Sequence, residues 1–111
     1  MIRNETKNKV LVNHSSIADT LFKKCLGFMF ASLRDQGIVF YFNMEKNTSF
    51  HTFFMWFSLD FLFLNRNGRV VSIIKNVKPW KLSVSGHGKY VVELPSGRSL
   101  NTSVGDKISF K

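Results

Sequence analysis

At 111 residues the chain has room for one domain and none for a second core of useful size. Hydrophobic residues make up 44% of it, twelve of them Phe, which excludes the low-hydrophobicity class of disordered chains. Sixteen Lys and Arg against seven Asp and Glu leave a formal net charge of +9, a balance that favours polyanionic partners, although no block of like charges marks a basic tail.

The opening residues, Met1 to Lys9, carry no apolar stretch of the kind a secretory signal needs, so a cytoplasmic protein is expected. Between Ser16 and Leu26 the apolar residues Ala18, Leu21, Phe22 and Cys25 fall at i, i+3, i+4 and i+7. This spacing predicts one short helix over about residues 17–26, with Gly27 past its end. Cys25 is the only cysteine, which rules out an intrachain disulfide and a cysteine-rich metal site and reads as a buried, inert thiol.

From Gly37 onward the signals are strands and turns. Ile38 to Phe42 is a β-branched and aromatic run bounded by Gly37 and Asn43. Leu59 to Leu64 and Arg69 to Lys75 are two further strands, joined by Asn65-Arg66-Asn67-Gly68, where Asn67-Gly68 is a hairpin signal. Tyr90 to Leu94 is stopped by Pro95-Ser96-Gly97, and Gly105-Asp106 precedes a last strand, Lys107 to Phe110. The most apolar segment, Phe53 to Leu64, is far short of the ~20 residues that cross a bilayer. The predicted fold is a mostly β single domain over residues 1–111: a small barrel or sandwich of short, largely antiparallel strands with one short α-helix.

Several of these segments resemble, in order, the motifs of a known family. Lys24-Cys25-Leu26-Gly27-Phe28-Met29 is similar to its Arg-x-x-Gly-Leu-Met block, with Lys24 and Phe28 standing where Arg and Leu are usual. His51-Thr52-Phe53-Phe54-Met55 and Leu59-Asp60-Phe61-Leu62-Phe63-Leu64 resemble the central segment of its archaeal branch. Lys78-Pro79-Trp80, Val92-Glu93-Leu94-Pro95-Ser96-Gly97, with Ser96 where Ala is usual, and Gly105-Asp106-Lys107-Ile108 follow. Together they resemble the family called domain of unknown function 192, or uncharacterised protein family 0127. The resemblance implies a compact β fold with one helix and no agreed activity. Trp56-Phe57-Ser58 departs from the pattern, replacing a segment that often carries a polar residue and a Pro.

Asp60 stands out because both faces of its strand are apolar, so its carboxylate is expected to be buried and either hydrogen-bonded or tuned. It is a candidate acid, and equally a candidate anchor for a strand end. Glu93 could face it across a cleft, although a solvated face is the plainer expectation. His51, at period two with Phe53 and Met55, and His87, in what reads as a flexible Ser85-Gly86-His87-Gly88 loop, are candidate proton-transfer groups. A pocket formed by His51, Met55, Asp60, Trp80, His87 and Glu93 is one expectation. A basic and aromatic face for a polyanion, formed by Lys75, Lys78, Trp80, Lys81 and Lys89, is the other. The histidines lack zinc spacing and no phosphate loop or nucleophile elbow occurs, so no metal or cofactor is expected. Three roles follow: a module for nucleic acid or a small acidic or phosphorylated ligand, a small hydrolase using Asp60 with His51 or His87, and a peripheral membrane or protein-interaction module.

Overall fold

A computed structural model describes residues 1–18, 35–50, 57–80 and 83–110. Eight strands run in chain order: β1 (Ile2–Asn4), β2 (Lys9–Val12), β3 (His14–Ala18), β4 (Gln36–Phe50), β5 (Leu59–Leu64), β6 (Val70–Val77), β7 (Val84–Pro95) and β8 (Ile108–Phe110). They form a three-stranded sheet, β2-β1-β8, and a five-stranded sheet, β3-β4-β7-β5-β6. The fold is thus mostly β, but it is not a closed barrel, because β3 and β6 end the larger sheet without meeting.

The larger sheet is covered on both faces, which is why β5 is apolar at every position but Asp60, with every residue buried. Leu59, Phe61 and Phe63 point into one core with Ile38, Phe40, Val84 and Val91. Leu62 and Leu64 point into the other with Val92 and Leu94, where Ile2, Leu11, Val12 and Ile108 of the small sheet cover them. Each buried Phe or Leu contributes about 1.5–3 kcal/mol relative to exposure.

Three sequence expectations change. The helix cannot begin at residue 17: Ser16, Ile17 and Ala18 pair in parallel with Ile38, Val39 and Phe40, so a non-local ladder overrides the local helical spacing. The rest of the predicted helix, residues 19–26, lies outside the described residues, among which no helix occurs. The strand expected to stop at Asn43 continues to Phe50. It passes an irregularity in which residues 42–45 of β4 stand opposite Lys89 alone in β7. Lys89 Nζ donates to the Phe42 carbonyl at 2.7 Å, and Lys46 Nζ sits 4.7 Å from the Phe42 ring centroid, so the irregularity is pinned from both strands.

The Gly86-His87-Gly88 segment, expected as a loop, is instead strand, paired with Thr48, Asn47 and Lys46. Its glycines mark close approach, not a turn: a Cβ on Gly86 would lie 2.5 Å from the Phe63 ring, and one on Gly88 2.6 Å from the Leu64 carbonyl oxygen. The Asn67-Gly68 turn forms as expected. Gly68 takes a φ of 77°, its N–H donates to the Asn65 carbonyl, and the Asn65 side chain accepts from the Asn67 and Arg69 N–H groups.

A second polar knot closes the small sheet. Buried Asn4 donates to Thr102 Oγ1 at 3.0 Å and to Asp106 Oδ2 at 2.9 Å, and the Asp106 carboxylate also accepts from Ser103 N–H and pairs with Lys7 at 3.0 Å. The Asn4 amide bond chiefly, then Ser103 and Lys7, outweigh desolvation and hold Asp106 below its usual carboxylate range. A depressed carboxylate adds stability above its unfolded value of about 3.9, and that stability is lost as pH falls through the lower folded value. Asp106→Asn is therefore expected to be less stable than wild type in urea at neutral pH, with the gap closing as the pH is taken below about 4. A gap that is constant with pH would contradict this assignment.

Candidate functional site

Asp60 is 1% exposed, and its carboxylate is saturated by the protein itself. Oδ1 accepts from Asn76 N–H at 2.8 Å; Oδ2 accepts from Gly97 N–H at 3.1 Å, Ser99 N–H at 3.3 Å and Ser99 Oγ at 2.6 Å. The local sequence makes this possible. Asn76 adopts a φ of 55° and Gly97 one of 90°, turning both N–H groups inward, and Ser99 supplies a hydroxyl. The arrangement ties the end of β6 and the turn after β7 to β5, the work of an anchor.

The other expected pocket residues do not gather around it. Glu93 lies opposite Phe61 and Ile38, on the sheet face opposite to the one that Asp60 shares with Leu94. It is buried at 5% exposure, because the neighbouring strands flank it on both sides, and so it is not on a solvated face. His87 is exposed, with Nδ1 donating to Asn47 Oδ1 at 2.9 Å. It stands seven positions along β7 from Leu94, the residue opposite Asp60, or roughly 20 Å of strand. Trp80 is 60% exposed at a φ of 65°. His51, Met55 and Lys81 lie outside the described residues. Among the described residues there is no cluster of three or more His, Cys, Asp or Glu that could hold a metal ion. No described helix is long and apolar enough to cross a membrane.

The basic residues divide between two places. Lys75 and Lys78 are exposed near Trp80 at the end of β6, with Lys75 Nζ donating to the Leu100 carbonyl at 3.3 Å. Lys89 belongs elsewhere: its Nζ lies 5.3 Å from the Tyr90 ring centroid.

Among the described residues, two open depressions stand out. The larger, about 440 Å³, is lined by Asn47, Thr48, Ser49, Ser85, Gly86 and His87 on the β4–β7 ribbon. Asn47 faces His87 and Ser49 faces Ser85 across the strands, and the Ser49, Ser83 and Ser85 hydroxyls bond to one another at 2.9–3.4 Å. Every side chain lining it is uncharged when His87 is neutral. The smaller depression, about 240 Å³, lies between the Asn65–Arg69 turn and β8, and Arg66, Tyr90, Lys107 and Phe110 line it. Tyr90 and Phe110 meet edge to face at 5.4 Å. The Arg66 side chain is 73% exposed, with Glu45 Oε1 at 3.9 Å from its Nε, and Lys107 Nζ donates to the Asn67 carbonyl.

This second recess was not visible as a unit in the sequence. The β5–β6 turn reaches β8 through an Arg69–Lys107 bridge and an Ile108 N–H to Gly68 O bond of 2.9 Å, contacts between segments some forty positions apart. The available signal was a basic residue inside the Asn-Arg-Asn-Gly turn and a second at the head of the last strand.

The molecule is therefore a mostly β domain of two sheets, with buried Asp60 and Asp106 used as anchors and a basic, aromatic recess at one edge. The model of the DUF192 family, described as an uncharacterized ACR, matches residues 2–110, and the chain belongs to this family. It is 38% identical to a UPF0127 protein of Thermococcus sibiricus, over all of this chain and 75% of that one. Identity is also 38% to a UPF0127 protein of Pyrococcus horikoshii, over 99% of this chain and 98% of that one. A crystal structure of a Sinorhizobium meliloti protein, provisionally called a transcription regulator, superposes with a TM-score of 0.78 at 24% identity, covering 86% of this chain and 79% of that one. At that identity the likeness concerns the fold.

Proposed function

We propose that the protein is a binding module for a phosphate-bearing anionic partner, seated in the recess between the Asn65–Arg69 turn and β8. One observation carries the reading: Arg66 and Lys107 line the recess together with the Tyr90–Phe110 ring pair, and no carboxylate is among its lining residues. A guanidinium beside an ammonium suits phosphate oxygens, and the adjoining ring faces suit a nucleobase or similar planar group. The net charge of +9 adds long-range attraction that raises the rate of encounter. Two carboxylates adjoin the recess without lining it: Glu45 is held by the Arg66 N–H at 2.8 Å and Glu5 by the Ser109 hydroxyl at 2.5 Å.

The double variant Arg66→Gln/Lys107→Gln keeps polar side chains and removes both charges. It is expected to weaken binding of a fluorescent nucleoside diphosphate about tenfold or more and to flatten its salt dependence, with the melting temperature little changed. Wild-type affinity in the folded variant would refute the assignment.

A further inference from the structure

We infer that the partner is single-stranded nucleic acid and that it lies along the outer edge of β6, gripped at both ends; this rests on the anion-binding reading above. β6 is the last strand of the larger sheet. At its start stand Arg66, Arg69 and Lys107 with the Tyr90–Phe110 pair, and at its far end stand Lys75, Lys78 and the exposed Trp80. The first of these basic, aromatic stations ends at Arg69 and the second reaches Trp80; between them run the eight residues of β6, Lys75 among them, roughly 26 Å of strand, on a molecule whose longest extent is 33 Å. A track of that length takes about five nucleotides of extended strand, at the low end of the ~4–16 covered by small β domains.

Cations outnumber carboxylates at the two ends of the edge, with Arg66, Arg69 and Lys107 at one and Lys75 and Lys78 at the other. Asp60 and Asp106 are buried and occupied by internal donors, and the two carboxylates at the first station are engaged by the protein, Glu45 by the Arg66 N–H and Glu5 by the Ser109 hydroxyl. Rings at both ends favour unpaired bases, whose faces are free to stack, over a duplex, whose base faces are covered.

The test is fluorescence anisotropy with labelled oligothymidylates from two to ten nucleotides at one low salt concentration. Affinity should rise about tenfold or more between two and six nucleotides, as the second station is reached, and then level off. Trp80→Ala should leave dinucleotide binding intact and abolish the rise, whereas Arg66→Gln/Lys107→Gln should weaken every length. A smooth increase through ten nucleotides that Trp80→Ala does not alter would overturn the two-station track while leaving the anion site standing. Tighter binding to duplex DNA or to phosphatidylserine vesicles than to the six-mer would also overturn it. Absence of binding by nucleoside diphosphate and by every oligomer would overturn both readings.

Discussion

Replacing Asp60 with Ala is expected to cost about 3 kcal/mol, because four inward donors would lose a charged acceptor inside a site with 1% exposure. For a domain of this size that corresponds to a fall in melting temperature on the order of 10 °C or more. Asp60→Asn should recover part of the loss, since the amide oxygen still accepts while its NH2 faces the N–H groups of Gly97 and Ser99 or that of Asn76. Neither variant should change the affinity of the folded protein for a nucleoside diphosphate. Thermal unfolding followed by circular dichroism decides the matter: an Asp60→Ala protein as stable as wild type would show that the carboxylate is not an anchor and would return it to the list of tuned acids.

Gly86→Ala carries the second large effect. Its new Cβ would sit 2.5–2.6 Å from three atoms of the Phe63 ring. That ring is fully buried, next to Phe61 at 6.4 Å and Phe50 at 6.5 Å, and cannot swing aside as the tip of a flexible chain would. Overpacking of this kind costs about 2–3 kcal/mol. Gly37→Ala meets the ends of the Ile2 and Leu94 side chains instead and should be milder, although its nearest approach, 2.6 Å, is similar. Phe63→Leu should relieve the Gly86→Ala penalty, so that in urea unfolding the double variant loses less than the sum of the singles. Strict additivity would mean that the ring and residue 86 do not touch, and the placement of the β4–β7 ribbon over the core would be wrong.

The parts of the fold legible in sequence were those whose signal is local. Leu59–Leu64 announces a strand buried on both faces by composition alone, and Asn67-Gly68 announces its turn by the φ it needs. The parts not legible depend on partners far along the chain. His14 to Ala18 holds two serines and little apolar pattern, and only the parallel ladder with Gln36–Phe40 makes it a strand. Ile2 finds both Val12 and Phe110 across its ladders, a pairing of the chain's two ends that no window reveals. Asn47, Gly86 and Gly88 are turn-type residues, yet they run as strand because Lys46–Thr48 and Gly86–Gly88 pair with each other while the glycines yield to Phe63 and Leu64.

The candidate site divides in the same way. The burial of Asp60 followed from the apolar residues on either side of it, but its saturation depended on the φ values of Asn76 and Gly97. Lys75, Lys78 and Trp80 were adjacent in sequence and are found at one end of β6. Lys89 instead lies over the Tyr90 ring, while Arg66 and Lys107, which the sequence keeps far apart, meet in the recess.

The most direct measurement is a 15N-resolved NMR titration of the wild-type protein with a nucleoside diphosphate at low salt. Amide shifts confined to Arg66–Arg69, Lys89, Tyr90 and Lys107–Phe110, saturating with the nucleotide, are the predicted result. Shifts centred on Asn47–Ser49 and Ser85–His87, or no saturable shifts at all, would contradict the basic recess as the binding site.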